Sequence, residues 1–355
     1  MHKVILGLKK CLDEQKPAAL ATIIRTEGST YQPSGTRCLI MEDGQVEGLV
    51  SGGCVESDLA GRIQEVIKSF KPETIIYDFR NENDFLWGMG LGCDGAITLF
   101  LQPFDPVHHL MDALALYDQL ITNYDTNTLI TVATVIHSSN ETLVPPGSFR
   151  VLEHQSILTD SSSSAYCKDL LLDGVVAECF VEHIKPRQHV AIFGAGPDVT
   201  PVVNQLAAIN WRISVIDHRP NYAQTNRFPK ADEVLLVNRT GYNTLCLSKN
   251  TYCLIMTHNY ELDLQLLGEL LEAKMPYIGI LGAAKRMQKM KIDLLEYGVT
   301  LEEGKVHSPI GLDIGASTPE EIAVSIAAEL LAFNRGQKAN SRVVEAVHPD
   351  GAACP

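Results

Sequence analysis

Between Arg187 and Arg335 five short apolar runs alternate with amphipathic stretches. The runs are His189–Phe193, Ile213–Ile216, Val234–Val237, Cys253–Met256 and Tyr277–Leu281, and the amphipathic stretches begin near Val199, Tyr242, Leu262 and Ala284. Runs this short are strands, and strands spaced by helix-length segments pair in parallel with helices laid over both faces. Residues 187–335 are therefore expected to form a Rossmann-like, doubly wound parallel-sheet domain. Its last helix is announced by Thr318-Pro319-Glu320-Glu321: Thr318 caps, Pro319 suits the first helical position and Glu321 closes a capping box. Ile322, Ile326, Ala327 and Leu330 form the stripe it would bury. After Gly336 the periodicity is lost, and residues 336–355 read as a mobile tail.

Residues 1–186 lack that regular crossover and read as a mixed α+β domain. Strands are expected at Ala18–Ile24, Arg37–Met41, Val46–Val50, Thr74–Phe79 and Ala96–Leu101, with one helix over about Val55–Phe70 and another around Leu110, Leu114 and Tyr117. The domain also carries an internal echo. Ala133–Leu152 aligns without a gap on Ala21–Ile40, matching Ala133, Thr134, Ile136, Thr142, Pro145 and Gly147 with Ala21, Thr22, Ile24, Thr30, Pro33 and Gly35. Glu178–Glu182 likewise mimics Thr98–Gln102. Two related halves are expected, the second without the glycine and cysteine motifs of the first.

Composition narrows the function classes. With 45% hydrophobic and 20% charged residues, the chain is neither disordered nor rich enough in apolar sequence for a membrane span. A net charge of −14 with no compensating basic patch repels nucleic acid, yet a small anion remains admissible wherever backbone N–H groups converge. Nine cysteines with no C-x-x-C pair argue against a zinc ribbon, an iron–sulfur cluster or a disulfide framework. Met1-His2-Lys3 leads into a short amphipathic stretch rather than a signal peptide, so the cytoplasm is the expected compartment.

Three loops in the first half concentrate glycine, hydroxyl residues and cysteine: one around Gly28-Ser29, one at Ser51-Gly52-Gly53-Cys54-Val55-Glu56, and one at Gly88-Met89-Gly90-Leu91-Gly92-Cys93-Asp94-Gly95. Cys54 falls at the head of the helix whose apolar face is Val55, Leu59, Ile63 and Ile67. A helix head attracts anions and lowers thiol pKa, so Cys54 is either a reactive thiolate or soft metal ligand, or a small residue packed in a tight turn. Cys93, among four glycines, is either a second thiol on the same ligand or part of a glycine-rich connection.

In the second half, Gly194-Ala195-Gly196 ends a strand and Asp217 ends the next, about 20 residues on, in the arrangement that binds a dinucleotide. The third glycine is replaced by Val199, and Pro197-Asp198 brings a carboxylate to where a pyrophosphate would approach. His258 and Gly282 fall at the carboxyl ends of later strands, where open α/β sheets bind ligands. His258 is either an acid, base or ligand, or a hydrogen-bonded structural residue.

These motifs resemble the XdhC/CoxI family, accessory proteins of molybdenum hydroxylases such as xanthine dehydrogenase and carbon monoxide dehydrogenase. The resemblance rests on TEGSTYQPSGTR, VSGGCVE and WGMGLGCDG in the first half, and on FGAGPDV, THNYELD, YIGILGAAKR and HSPIGLDIGASTPEEIAVSI in the second. It departs from the family at Pro197-Asp198-Val199, where members commonly read His-Val-Gly, and at Ala283-Ala284-Lys285-Arg286, where they often read Ser-Arg-Arg. The resemblance implies a chaperone rather than a turnover enzyme. It would bind the molybdenum cofactor (molybdopterin), guard it while a cysteine desulfurase-type donor installs its terminal sulfur, and deliver it to a xanthine dehydrogenase-type molybdenum hydroxylase. Gly28, Ser29, Ser51, Gly52, Gly53, Cys54, Glu56, Gly92 and Cys93 are the expected contacts, with Cys54 meeting the metal. Gly194, Gly196, Asp217, His258 and Gly282 are the expected contacts for a nucleotide in the Rossmann-like domain. A homodimer follows from family habit. The competing readings are an NAD(P)-dependent oxidoreductase, carried by Gly194, Gly196 and Asp217, and a stable non-catalytic subunit of the hydroxylase.

Overall fold

Apolar residues alternate along the first strands, and in the computed structural model each alternate set finds a helix. The structure describes residues 1–80, 95–152, 164–239, 241–242, 245–296 and 305–337, and the chain divides into two units, 1–187 and 188–355. The first unit opens with a five-stranded antiparallel sheet of β1 (Ala18–Gly28), β2 (Arg37–Met41), β3 (Val46–Gly48), β4 (Glu73–Asp78) and β5 (Gly95–Phe104), in the order β3-β2-β1-β5-β4. Helix α2 (Cys54–Ser69) covers one face, its Val55, Leu59, Ile63 and Val66 meeting Ala21, Ile23, Cys38, Ile40 and Leu99. Helices α1 (His2–Glu14) and α3 (Leu110–Tyr124) cover the other, burying Val4, Leu8 and Leu120 against Leu20, Leu39 and Phe104.

A second antiparallel sheet follows, of β6 (Ile130–Ser138), β7 (Phe149–Leu152), β8 (Ala165–Leu172) and β9 (Val175–Ile184), in the order β7-β6-β9-β8. Its pairing repeats that of the first sheet residue for residue. Ala133 faces Arg150 as Ala21 faces Cys38, and Thr134 faces Phe180 as Thr22 faces Phe100. A register shift between Ile23 and Arg25 recurs between Val135 and His137. The turns also match: Gly35 N donates to Ile23 O and Gly147 N to Val135 O, both at 2.8 Å. Gly35 and Gly147 hold φ of 90° and 86°, a left-handed conformation that glycine adopts without strain.

The second unit is a six-stranded parallel sheet of β10 (His189–Phe193), β11 (Arg212–Asp217), β12 (Glu233–Leu236), β13 (Tyr252–Ile255), β14 (Tyr277–Ile280) and β15 (Val306–His307). Its order, β12-β11-β10-β13-β14-β15, is the Rossmann order, reversing direction between β10 and β13. Helices α4 (Val199–Ala208) and α7 (Pro319–Asn334) pack on one face, and α5 (Tyr260–Glu272) and α6 (Ala284–Glu296) on the other. The α7 capping box is formed as its residues predict, Thr318 accepting from Glu321 N and Glu321 from Thr318 N. One expectation is corrected here. The amphipathic stretch from Tyr242 is not an α-helix among the described residues; Tyr242, Leu245 and Leu247 enter the α5-side core from an irregular crossover. No helix among the described residues is long and apolar enough to cross a membrane.

Candidate functional sites at two sheet edges

Strand direction in the first unit sends the glycine loops toward one edge. β1 ends at Gly28 and β4 at Asp78 on the edge of the sheet where β5 begins, with Gly28 opposite Gly95 and Asp78 opposite Ala96. The loops after β1 and β4 therefore issue on either side of the start of β5, while β3, parallel to β1 across β2, runs toward the same edge and ends level with Ala21. Gly95 lies so close to the first loop that an added Cβ would sit 2.4 Å from Glu27 O and 2.7 Å from Ser29 O. Arg80 bridges the same loops, donating from Nη1 to Glu27 at 3.0 Å and from Nη2 to Asp78 at 2.6 Å. Tyr77 binds Asp58 of α2 at 2.6 Å, which ties the head of that helix to β4. Gly92 and Cys93 lie outside the described residues, as does all of the tail beyond residue 337.

Cys54 is the first residue of α2 and its side chain is exposed, whereas Cys11, Cys38, Cys179 and Cys253 are buried. Among the described residues, nothing lies within 4 Å of where a Cβ would stand at Gly52 or Gly53. Burial pushes the Cys38 thiol up to about 12, so Cys38 stays protonated. Glu56, expected as a ligand contact, serves the turn instead. Its carboxylate is 5% exposed and accepts from Val50 N and Ser51 N at 2.8 Å, from Gly53 N at 3.1 Å and from the Ser51 hydroxyl. Burial raises its pKa, and the Ser51 hydroxyl and these amides more than offset the rise, leaving it below the ordinary value. Ser51 is likewise engaged, its Oγ accepting from Gly53 N and Val55 N. The Val50, Ser51, Gly53 and Val55 amides are thus already satisfied, and Cys54 Sγ is exposed beside them.

The remaining sequence candidates gather at the carboxyl edge of the parallel sheet. Gly194, with φ 116°, lies against the end of β13, where a Cβ would fall 2.3 Å from Met256 O. Asp217 is 1% exposed, and its carboxylate holds Ala195 N at 2.8 Å and the Arg219 guanidinium at 2.6 and 2.9 Å. Burial raises its pKa, and Arg219 and the amides outweigh that, so it lies below the usual range and stays ionised. His258 holds a left-handed φ of 59° and meets Asp198 at 2.9 Å through Nε2. Gly282 lies under Arg286, whose guanidinium pairs with buried Asp263 at 2.6 Å. Burial raises the Asp263 pKa against the pull of Thr257 and Arg286.

Sequence reasoning missed Asp263, and it missed Glu329, which takes Tyr277 O–H, His307 Nδ1 at 3.1 Å and Gly311 N at 2.9 Å inside the second unit. The signal was a lone carboxylate within the apolar face of a helix, Asp263 beside Leu262 and Leu266, Glu329 beside Leu330. Among the described residues no three His, Cys, Asp or Glu side chains converge as a metal site.

Residues 190–330 match the model of the XdhC Rossmann domain, and residues 11–78 that of the XdhC and CoxI family. The chain is 31% identical over 334 residues to a probable xanthine dehydrogenase subunit of Bacillus subtilis (strain 168), covering 91% of this chain and 95% of that one. It is 24% identical to the molybdenum cofactor insertion chaperone PaoD of Escherichia coli (strain K12), over 96% of this chain and 91% of PaoD. The crystal structure of a xanthine dehydrogenase from Bacillus halodurans shares its fold at a TM-score of 0.71 and 30% identity, over 95% of this chain and 97% of that one. Two domain models matched in order, with a relative similar along nearly its whole length, establish that the chain belongs to the XdhC and CoxI family.

Proposed function

We propose that this chain is a cytoplasmic accessory protein that binds the molybdenum cofactor and hands it to a xanthine dehydrogenase-type molybdenum hydroxylase. The observation that carries the reading is Cys54: an exposed thiol on the first turn of α2, beside Gly52 and Gly53, where an added Cβ would meet none of the described residues within 4 Å, at the head of a helix that the Tyr77–Asp58 hydrogen bond ties to β4. A soft sulfur donor suits a sulfur-ligated molybdenum centre, and the similarity to PaoD supports the same cargo. The pterin would lie over the two glycines, where no side chain of the described residues intervenes. Delivery fits a site that holds its cargo through few contacts, and a cysteine desulfurase-type donor would reach the metal from the open side. A homodimer completes the proposal.

The test is expression in a host that makes molybdopterin, followed by assay of molybdenum and released pterin in purified wild type and Cys54→Ala. Wild type should carry both and the variant should lose most of each. Equal retention removes Cys54 from the site, and absence from both overturns the reading. The B. subtilis relative is named as part of a dehydrogenase. A complex with the hydroxylase that survives gel filtration would favour that role over transient delivery.

A further inference from the structure

The crevice between β10 and β13 is where a Rossmann sheet takes a dinucleotide, and the two positions such a ligand needs are both filled by this chain. A dinucleotide requires the second glycine bare, so that its pyrophosphate can approach the backbone, and a free carboxylate after the second strand for its ribose. Here Asp198 lies across Gly196, its Oδ1 only 2.4 Å from where a Cβ would stand. Its other oxygen is tied at 2.9 Å to Nε2 of His258 from the facing loop, and that histidine is held in a left-handed conformation. Asp217, the ribose acceptor, is occupied by Ala195 N and Arg219.

We propose that Asp198 is a built-in anion that determines the selectivity of this crevice, closing it to pyrophosphate-bearing nucleotides. The carboxylate lies at the head of α4, where the N-terminal dipole favours one negative group and not two. His258 latches it across the mouth of the crevice. A dinucleotide would have to displace the hydrogen bond between Asp198 and His258 and then bear the like charge of the freed aspartate. The selectivity is separate from the Cys54 site and stands or falls without it.

Calorimetric titration of the full chain with ADP-ribose, and with inorganic pyrophosphate, tests this. Wild type should show no saturable binding. Asp198→Ala should bind ADP-ribose at least roughly tenfold tighter, the scale of one like-charge contact in a half-exposed site. Asp198→Asn, which removes the charge and keeps the shape, should gain less, and His258→Ala, which frees the latch, should fall between wild type and Asp198→Ala. Wild type binding as tightly as Asp198→Ala would overturn the proposal. So would failure of both Asp198 variants to bind while their thermal melts match wild type.

Discussion

The two sheets of the first unit share one pairing scheme and differ in what they support. Strand register, bulge and turn glycine coincide, so the backbone solution is the same twice over. The side chains at equivalent places diverge. Arg37 of β2 forms a two-pronged ion pair with Glu182, both side chains 9% exposed, while the matching positions hold Phe149 and Gln102, and Gln102 donates to Gly147 O at 3.2 Å. Each partner comes from the opposite sheet: Glu182 of β9 braces the Gly35 turn, and Gln102 of β5 braces the Gly147 turn. The halves are thus interlocked about a small shared core of Ile24, Phe100, Ile136 and Phe180, itself two matched pairs. We read them as two copies of one unit, of which the first carries the glycine and cysteine motifs and α2 and the second, among the described residues, supplies the bracing contacts.

The largest expected effect lies in that shared core. Phe100→Ala and Phe180→Ala should each cost about 3–5 kcal/mol in urea unfolding. Costs differing by more than about 2 kcal/mol would show that the equivalence of the two positions is one of backbone only. Next is the charged brace. Glu182→Ala leaves Arg37 buried without its counter-charge and should cost about 3 kcal/mol, against about 1 kcal/mol for Gln102→Ala. The double substitution Arg37→Phe with Glu182→Gln copies the other side and should recover most of the loss. Equal costs for the two single variants would erase the distinction.

The smallest effect is one that the second sheet, with no counterpart of α2 among the described residues, does not share. The Glu56 carboxyl lies below its ordinary value in the folded state, so its stabilising contribution is complete above the unfolded pKa of about 4.3 and lost as pH falls through the folded one. Thermal melts from neutral pH to about pH 3 should therefore fall less steeply for Glu56→Gln than for wild type. Parallel curves would show that the turn does not need the charge.

Much of this was legible from residue order. Runs such as His189–Phe193 and Ile213–Ile216 are strands, and the Thr318 to Glu321 cap starts α7 where its chemistry places it. The repeat was visible because the matching residues include Pro33, Gly35, Pro145 and Gly147, which set turn geometry. Side-chain destinations were not legible. Nothing in the spacing of Ser51-Gly52-Gly53-Cys54-Val55-Glu56 says that Glu56 turns back onto the amides before it, and Asp198 and His258 lie 60 residues apart. The crossover from Tyr242 has a helix-like pattern, but its leucines serve the core one by one rather than as a helical face.

If the Cys54 loop carries the cargo proposed for it, the carboxylate folded into that turn also bears on unloading. A pocket built from bare amides must re-solvate them each time its contents leave, which slows departure. Here the Val50, Ser51, Gly53 and Val55 amides are satisfied by Glu56 and Ser51 of the loop itself, so under the proposed delivery role emptying the loop would strand none of these four donors. Residence time would then be governed by the sulfur contact and by the surface covered over Gly52 and Gly53, which a receiving enzyme can compete away by offering a deeper cleft.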